Sequence, residues 1–478
     1  MPELKLSRMS AAQTGTKGRG QLLEVKRIMT NSVSSRPVGT SKGYRRSTPQ
    51  LLRRDPGTHQ GRHMNEATSP ACIGAASERP ALRRVLGTPM LVLYGLGVII
   101  GAGIYVLVGT IVTTAEGAAP WSFVLAGILA AMTGLSYAEL AVRFPEAAGA
   151  AAYVKEAFGS DRLSKLTGLA VAAVVIVSTA SIARGSAGYL QAFAQLPDAV
   201  IAGGLVALFT GVACLGVRES VGIAAAMTLI EIGGLLLVMV AGLPALLSAP
   251  DRISELVPTG GWGTWAGIAA GGFLAFFAFI GFENLANMAE EARAAERTLP
   301  RAILFSLGLS TLLYVVVTLV VVLALPIQEL TSLAAPLLAV AAQADWFSPK
   351  VFAGIALLAI ANGVLLELIM LGRLLYGMAR RGWLPDRLAH VSLRYRTPIR
   401  ATLIGGAITF LLTTALPFIS LVSVTSTITL LVFAGVNVAL WRLHRTQPRT
   451  VGFRVPRLIP PLAALANVLL VIVQSFVS

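Results

Sequence analysis

Gly95-Leu96-Gly97-Val98-Ile99-Ile100-Gly101-Ala102-Gly103-Ile104-Tyr105 decides how this chain is read. The stretch lies inside an apolar segment at about residues 87–113, long enough to span a bilayer. Four glycines fall between Gly95 and Gly103. Each costs about 1 kcal/mol relative to alanine in a helix interior. In lipid, unwound backbone survives only where protein buries it or where it lines a cavity. Gly101 and Gly103 lack Cβ, so the chain there can open and let a ligand approach the backbone. A break of this kind frees N–H groups at the start of the second half-helix and carbonyls at the end of the first. The N–H end attracts a carboxylate and the carbonyl end an ammonium. An α-amino acid carries both groups. Close helix–helix packing through small residues is the other use of such glycines.

Of the 478 residues, 55% are hydrophobic and 13% are charged. Soluble domains carry about 25% charge, so the composition points to an all-α polytopic membrane protein. Eleven apolar segments are expected, at about 87–113, 120–142, 163–190, 199–217, 222–247, 263–292, 300–325, 349–379, 398–416, 418–441 and 459–478. A twelfth apolar stretch at 331–342 is too short to span and is expected to lie over the outer mouth.

Residues 1–84 carry 16 Lys and Arg against 5 acidic residues and hold much of the net charge of +16. No apolar period persists there, so a disordered basic tail is predicted, with residues 85–478 forming the membrane domain. The excess of basic residues speaks for topology and lipid contact, with no nucleic-acid partner expected. Arg380, Arg381, Arg387, Arg394, Arg396 and Arg400 cluster in one loop. Arg442, Arg445, Arg449, Arg454 and Arg457 cluster in another. The opposite loops hold only Arg252 and Lys350. This asymmetry predicts a cytoplasmic N-terminus in a cell (inner) membrane. Cys72 and Cys214 make no metal or redox motif, and no cofactor is expected.

The sixth segment contains a second candidate break, Phe276-Phe277-Ala278-Phe279-Ile280-Gly281-Phe282-Glu283-Asn284. The first segment opens one run of five helices and the sixth opens the next with reversed orientation. Interrupted helices in corresponding positions of two halves point to a transporter site near the bilayer midplane.

These segments resemble the amino acid permeases of the amino acid–polyamine–organocation superfamily. GVIIGAGIY at 97–105, SYAEL at 136–140 and Phe144-Pro145-Glu146 with Gly149 carry the resemblance in the first half. FFAFIGFEN, Ala289-Glu290-Glu291 and Arg297-Thr298-Leu299-Pro300-Arg301-Ala302-Ile303 carry it around the sixth segment. Arg373 to Arg380, with Gly382, Leu384 and Pro385, and then Thr397-Pro398, extend it. The resemblance implies a five-plus-five inverted-repeat fold with discontinuous helices 1 and 6. The repeats would cover about 87–247 and 263–441, with an extra helix at 459–478. The implied function is secondary active transport of an amino acid by alternating access, with proton coupling. An exchanger without proton coupling and a non-transporting sensor on the same fold are the alternatives.

By position, the resemblance places the Ala102 and Gly103 N–H groups against the substrate carboxylate, with Gly101 and Ile104 beside them. It places the carbonyls of Ile99, Phe277 and Ile280 against the ammonium. Phe277 and Phe279 become a lid, and Asn284 a more distant contact. Several relatives carry a lysine in helix 5 that replaces a sodium ion; the aligned residue here is Glu231, of opposite charge. An intramembrane enzyme is excluded by the lack of a buried nucleophile–base pair or metal-ligand motif. All four histidines, His59, His63, His390 and His444, are expected in the tail or in loops. A proton carrier would then be a carboxylate, and Glu231, Glu283 and Glu367 are the candidates. Glu139 reads as structural, and Arg184 as either snorkelling or paired with a carbonyl.

Overall fold

Helices and turns with no strand make up the described part of the computed structural model. It describes residues 86–144, 149–215, 221–248, 250–286, 288–289, 291–330, 333–448 and 452–477. The tail at 1–84 lies outside these residues, as do Pro145, Glu146, Glu290 and Arg449.

Each of the eleven apolar segments coincides with a helix or with a helix that breaks. The first becomes α1 (Thr88–Ile100) and α2 (Gly103–Ala115), and a 3-10 turn at Glu116–Ala118 leads into α3 (Ala119–Arg143). α4 (Gly149–Phe158), α5 (Asp161–Gly185), α6 (Asp198–Leu215) and α7 (Val221–Ser248) follow. The sixth segment becomes α8 (Trp262–Ala275), a 3-10 turn at Phe276–Phe279 and a single helical turn at Glu283–Ala286. α9 (Ala295–Ala324), α10 (Pro349–Arg380), α11 (Ile399–Ala415), α12 (Phe418–Thr446) and α13 (Ile459–Val477) complete the order. Among the described residues, nine helical stretches have the length and hydropathy to cross a membrane. One of these, Gly103–Arg143, takes α2, the 3-10 turn and α3 together, while α1 and α11 are shorter apolar helices.

Helix starts follow local chemistry. Pro89, Pro120 and Pro349 occupy the first turn of α1, α3 and α10, where the missing N–H would have no helical partner in any case. The Ser160 hydroxyl caps α5 by accepting from Leu163 N at 3.3 Å. Two stretches depart from the apolar reading. α4 is too short and too mixed in composition to register as a span, yet it buries Ala150, Tyr153, Val154 and Ala157. It packs against α5 and α12. The stretch at 331–342 yields only a six-residue helix, Pro336–Ala341, which packs on α2, α7, α9 and α10.

α1 is held between α7 and α9, and α9 also makes the most extensive helix contact in the fold, with α3. α10 packs on α5, α7 and α11. The core surrounds the two broken segments: Ile99, Ile100, Ile104, Tyr105, Phe276, Phe279 and Phe282 are all buried. Leu86 N donates to Glu291 O at 3.1 Å and Arg293 N to Leu86 O at 2.9 Å. This ties the start of α1 to the chain leaving the sixth segment.

One expectation is overturned. His444 is not a loop residue: α12 continues to Thr446 and buries it. The apolar run ends at 441, but the helix does not, because Arg442 stacks on Phe158 and His444 finds a buried carboxylate. Polar residues at a helix end can stay helical when tertiary partners satisfy them.

Candidate functional site

Both expected breaks are broken. Gly101 ends α1 with φ +25° and ψ −134°, and Ala102 then opens α2. The first N–H groups of α2, beginning at Gly103, have no partner within the helix. In the sixth segment Ile280 is extended, with φ −60° and ψ 135°, and Gly281 has φ +120°. Gly281 N donates to the Glu283 carboxylate at 2.9 Å, so the side chain caps its own turn.

The two breaks lie against each other. A Cβ on Gly103 would sit 2.8 Å from Ala278 Cα, and one on Gly281 would sit 2.9 Å from Val98 O. Gly103 therefore serves close backbone packing as well as the break. Gly101 meets nothing nearer than Gly97 O at 3.4 Å, and its positive φ is what calls for glycine.

Tyrosines stitch the breaks to the surrounding helices. The Tyr314 hydroxyl of α9 lies 2.8 Å from Ile99 O and 2.9 Å from Ala278 O, one carbonyl from each broken segment. It has one proton and donates to one of them at a time. Tyr105 of α2 donates to the backbone carbonyl of Glu231 at 2.6 Å, and Tyr189 donates to Tyr105 O at 2.7 Å. Phe277 O accepts from Ile280 N at 3.1 Å. Phe279 packs edge-on to Tyr314 with ring centroids 5.2 Å apart, and Phe277 is buried beside it. Asn284 N donates to Gly281 O at 3.0 Å.

The three carboxylates sit on different helices around the breaks. Glu231 of α7 accepts from Asn362 Nδ2 of α10 at 3.2 Å through Oε1, while its buried Oε2 has no hydrogen-bond partner among the described residues. Its side chain bonds α10, not a helix 1 carbonyl; the link to helix 1 runs through the Glu231 backbone and Tyr105. Glu367 Oε2 lies 2.7 Å from both Ser178 Oγ and Thr179 Oγ1 of α5. Among the described ion pairs, none includes Glu231, Glu283 or Glu367. Among the described residues no cluster of His, Cys, Asp or Glu has the geometry to hold a metal ion.

A family profile described as amino acid permease matches residues 86–478. The chain belongs to the amino acid permease family. The permease is 29% identical over 432 residues to the branched-chain amino acid permease BcaP of Bacillus subtilis, covering 85% of this chain and 91% of the relative. It is 32% identical over 390 residues to the cationic amino acid transporter 3, mitochondrial, of Arabidopsis thaliana, covering 77% of this chain and 63% of that longer relative. It is 28% identical over 413 residues to the methylthioribose transporter of Bacillus subtilis, covering 80% of this chain and 86% of the relative. The permease is thus a multi-pass membrane transporter and not an enzyme.

The fold of the permease brings Ile99, Gly101, Ala102, Gly103, Phe277, Phe279 and Ile280 into one region, because they belong to the two breaks. Residue reading missed Tyr314, Tyr189, Asn362, Ser178 and Thr179. Each bonds to a residue far away in sequence, so no local spacing signals the partner. Arg184 pairs with a carbonyl as expected, donating to Thr413 O at 3.2 Å.

Proposed function

We propose that this permease carries an α-amino acid across the cell membrane by alternating access, with a proton as co-substrate and its N-terminus in the cytoplasm. The membrane domain, residues 85–478, is read as two inverted five-helix repeats and one further helix. The observation that carries the reading is the pair of backbone breaks in mutual contact, one with positive φ at Gly101 and the other at Gly281. Helix N-termini without internal partners attract carboxylates, so the start of α2 suits the head group's negative end. Its ammonium suits the carbonyls that close α1 and the sixth segment. A thiosugar such as methylthioribose lacks this pair of charges and would use neither.

Glu231 is the proposed proton carrier. A protonated carboxyl can donate one hydrogen bond, and an ionised one can only accept. Its Oε2 is buried without a partner, so the proton changes what the Glu231 side chain offers to Asn362 of α10. Coupling requires the proton to bind the two arrangements with different affinity.

The test is twofold. Purified protein is first challenged with a panel of amino acids and methylthioribose, read by thermal shift. Uptake into proteoliposomes is then measured with and without an inward proton gradient. Amino acids should stabilise the protein, and the gradient should accelerate wild-type uptake. Glu231→Gln should retain exchange and lose that acceleration. Loss in Glu283→Gln alone would move the carrier to Glu283. Uptake indifferent to the gradient would leave an exchanger, and binding without uptake would leave a sensor.

A further inference from the structure

The chain between α12 and α13 carries two arginines that the fold leaves unpaired. Arg442 and Arg445 of α12 stack on Phe158 and Trp441, and Arg143 is held by Glu139. Arg454 and Arg457 are exposed, and neither enters an ion pair among the described residues. With Val455 and Pro456 they line an open recess of about 360 Å³.

The backbone between the two arginines is anchored. Val455 is only 1% exposed, and its N–H donates to the Glu139 carboxylate at 2.7 Å. The Pro456 ring fixes φ, and the Pro456 carbonyl accepts from Ile459 N at 3.0 Å. Two guanidinium groups therefore leave a held turn three residues apart. A guanidinium suits a phosphate because its planar fork donates two parallel N–H bonds. The start of α13 is a poor anion site by itself, since Pro460 and Pro461 have no N–H to offer.

An apolar face begins immediately after Arg457. Leu458, Leu462, Leu465, Leu469, Ile472 and Phe476 are all exposed. Their alternating spacing of four and three places them on one stripe of α13. The other face of α13 buries Ala463 and Asn467, and the helix packs on α3, α8 and α12. A helix rises about 16 Å over the eleven residues from Leu458 to Leu469, close to the depth of one bilayer leaflet, about 15 Å.

We infer that Arg454 and Arg457 bind the phosphate of an anionic phospholipid whose acyl chains run down the exposed stripe of α13. Basic recesses beside spanning helices suit such head groups. A zwitterionic lipid brings its own ammonium to the phosphate and gains less from the two arginines. The bound lipid also braces the junction of α3, α12 and α13, because Val455 shares Glu139 with Arg143 and His444. The site is separate from the two breaks and holds whichever solute is carried.

The test titrates the full-length protein in detergent with phosphatidylglycerol or phosphatidylcholine of identical acyl chains, reading bound lipid by native mass spectrometry. Phosphatidylglycerol is expected to bind at least tenfold more tightly. The double variant Arg454→Gln/Arg457→Gln should lower that preference at least fivefold. Arg387→Gln/Arg394→Gln removes the same charge from another basic loop and should leave it unchanged. Equal binding of the two lipids to the wild type would overturn the inference. An unchanged preference in the first double variant, or equal losses in both, would overturn the role of Arg454 and Arg457. Should that double variant fail to fold, an unchanged preference in both single variants would overturn it equally. Glycerophosphoglycerol, the same head group without acyl chains, should not displace the lipid at equal concentration; displacement would make a soluble phosphate the ligand. In a background lacking Cys72 and Cys214, a disulfide between two copies of Leu465→Cys would show that a second copy covers the stripe, and would overturn the inference as well.

Discussion

Gly281 shows how much of this fold depends on single backbone positions. Its φ of +120° is a region that side-chain-bearing residues rarely adopt. An alanine there would also place its methyl 2.7 Å from Val98 Cγ1 and 2.9 Å from Val98 O. Strained backbone of this kind costs roughly 1–3 kcal/mol, and the contact adds to it. Gly281→Ala is therefore expected to lower the thermal unfolding temperature in detergent and to weaken ligand binding. Gly204 of α6 is the control, because nothing lies within 4 Å of a Cβ there. Gly204→Ala should leave the unfolding temperature unchanged or raise it slightly. Equal behaviour of the two variants would show that the break tolerates a side chain. The three nearby glycines thus differ in reason: Gly101 for φ, Gly103 for contact with Ala278, Gly281 for both.

Helix ends are joined by charge where the apolar pattern stops. Glu139, near the end of α3, is only 1% exposed. It pairs with Arg143 one turn on, accepts from Val455 N at 2.7 Å, and lies 2.9 and 3.0 Å from His444 Nε2 through its two oxygens. Arg143 in turn donates to Gln447 O at 3.3 Å. The cluster locks α3, α12 and the segment leading to α13 together. Breaking a buried pair by removing one partner costs about 3–5 kcal/mol. Glu139→Ala should therefore destabilise the protein strongly. Combined with His444→Leu it should cost less than the sum of the single changes, because partners in one network are not additive. Additive losses in a double-mutant cycle measured by denaturation would show that the two groups act independently. The reading of Glu139 as structural fits this geometry. The placing of His444 in a loop does not, since that reading ended the helix where hydropathy ended.

The whole molecule is expected to follow the arginine distribution. Loops at 380–400 and 442–457 collect the basic residues, and the opposite side holds few. Two exposed positions test the orientation, Leu393 at 97% exposure and Trp262 at 85%. In a background lacking Cys72 and Cys214, Trp262→Cys should react with a membrane-impermeant thiol reagent on intact cells. Leu393→Cys should react only after permeabilisation. The reverse pattern would place the N-terminus outside.

From sequence alone the helical membrane class, the approximate segments and the two breaks were all legible. Hydropathy and glycine placement are local properties, and each break is written within a dozen residues. The family was legible for the same reason, through short ordered motifs such as GVIIGAGIY and FFAFIGFEN. Tertiary structure alone decided what the polar residues do. Tyr314 bridges carbonyls at positions 99 and 278, Glu231 meets Asn362, and Glu367 meets Ser178 and Thr179. Each partnership links helices more than thirty residues apart along the chain. A lone hydroxyl or carboxylate in an apolar run signals that a partner is required, because burying it unpaired is costly. It carries no information on which helix supplies that partner; packing makes the choice.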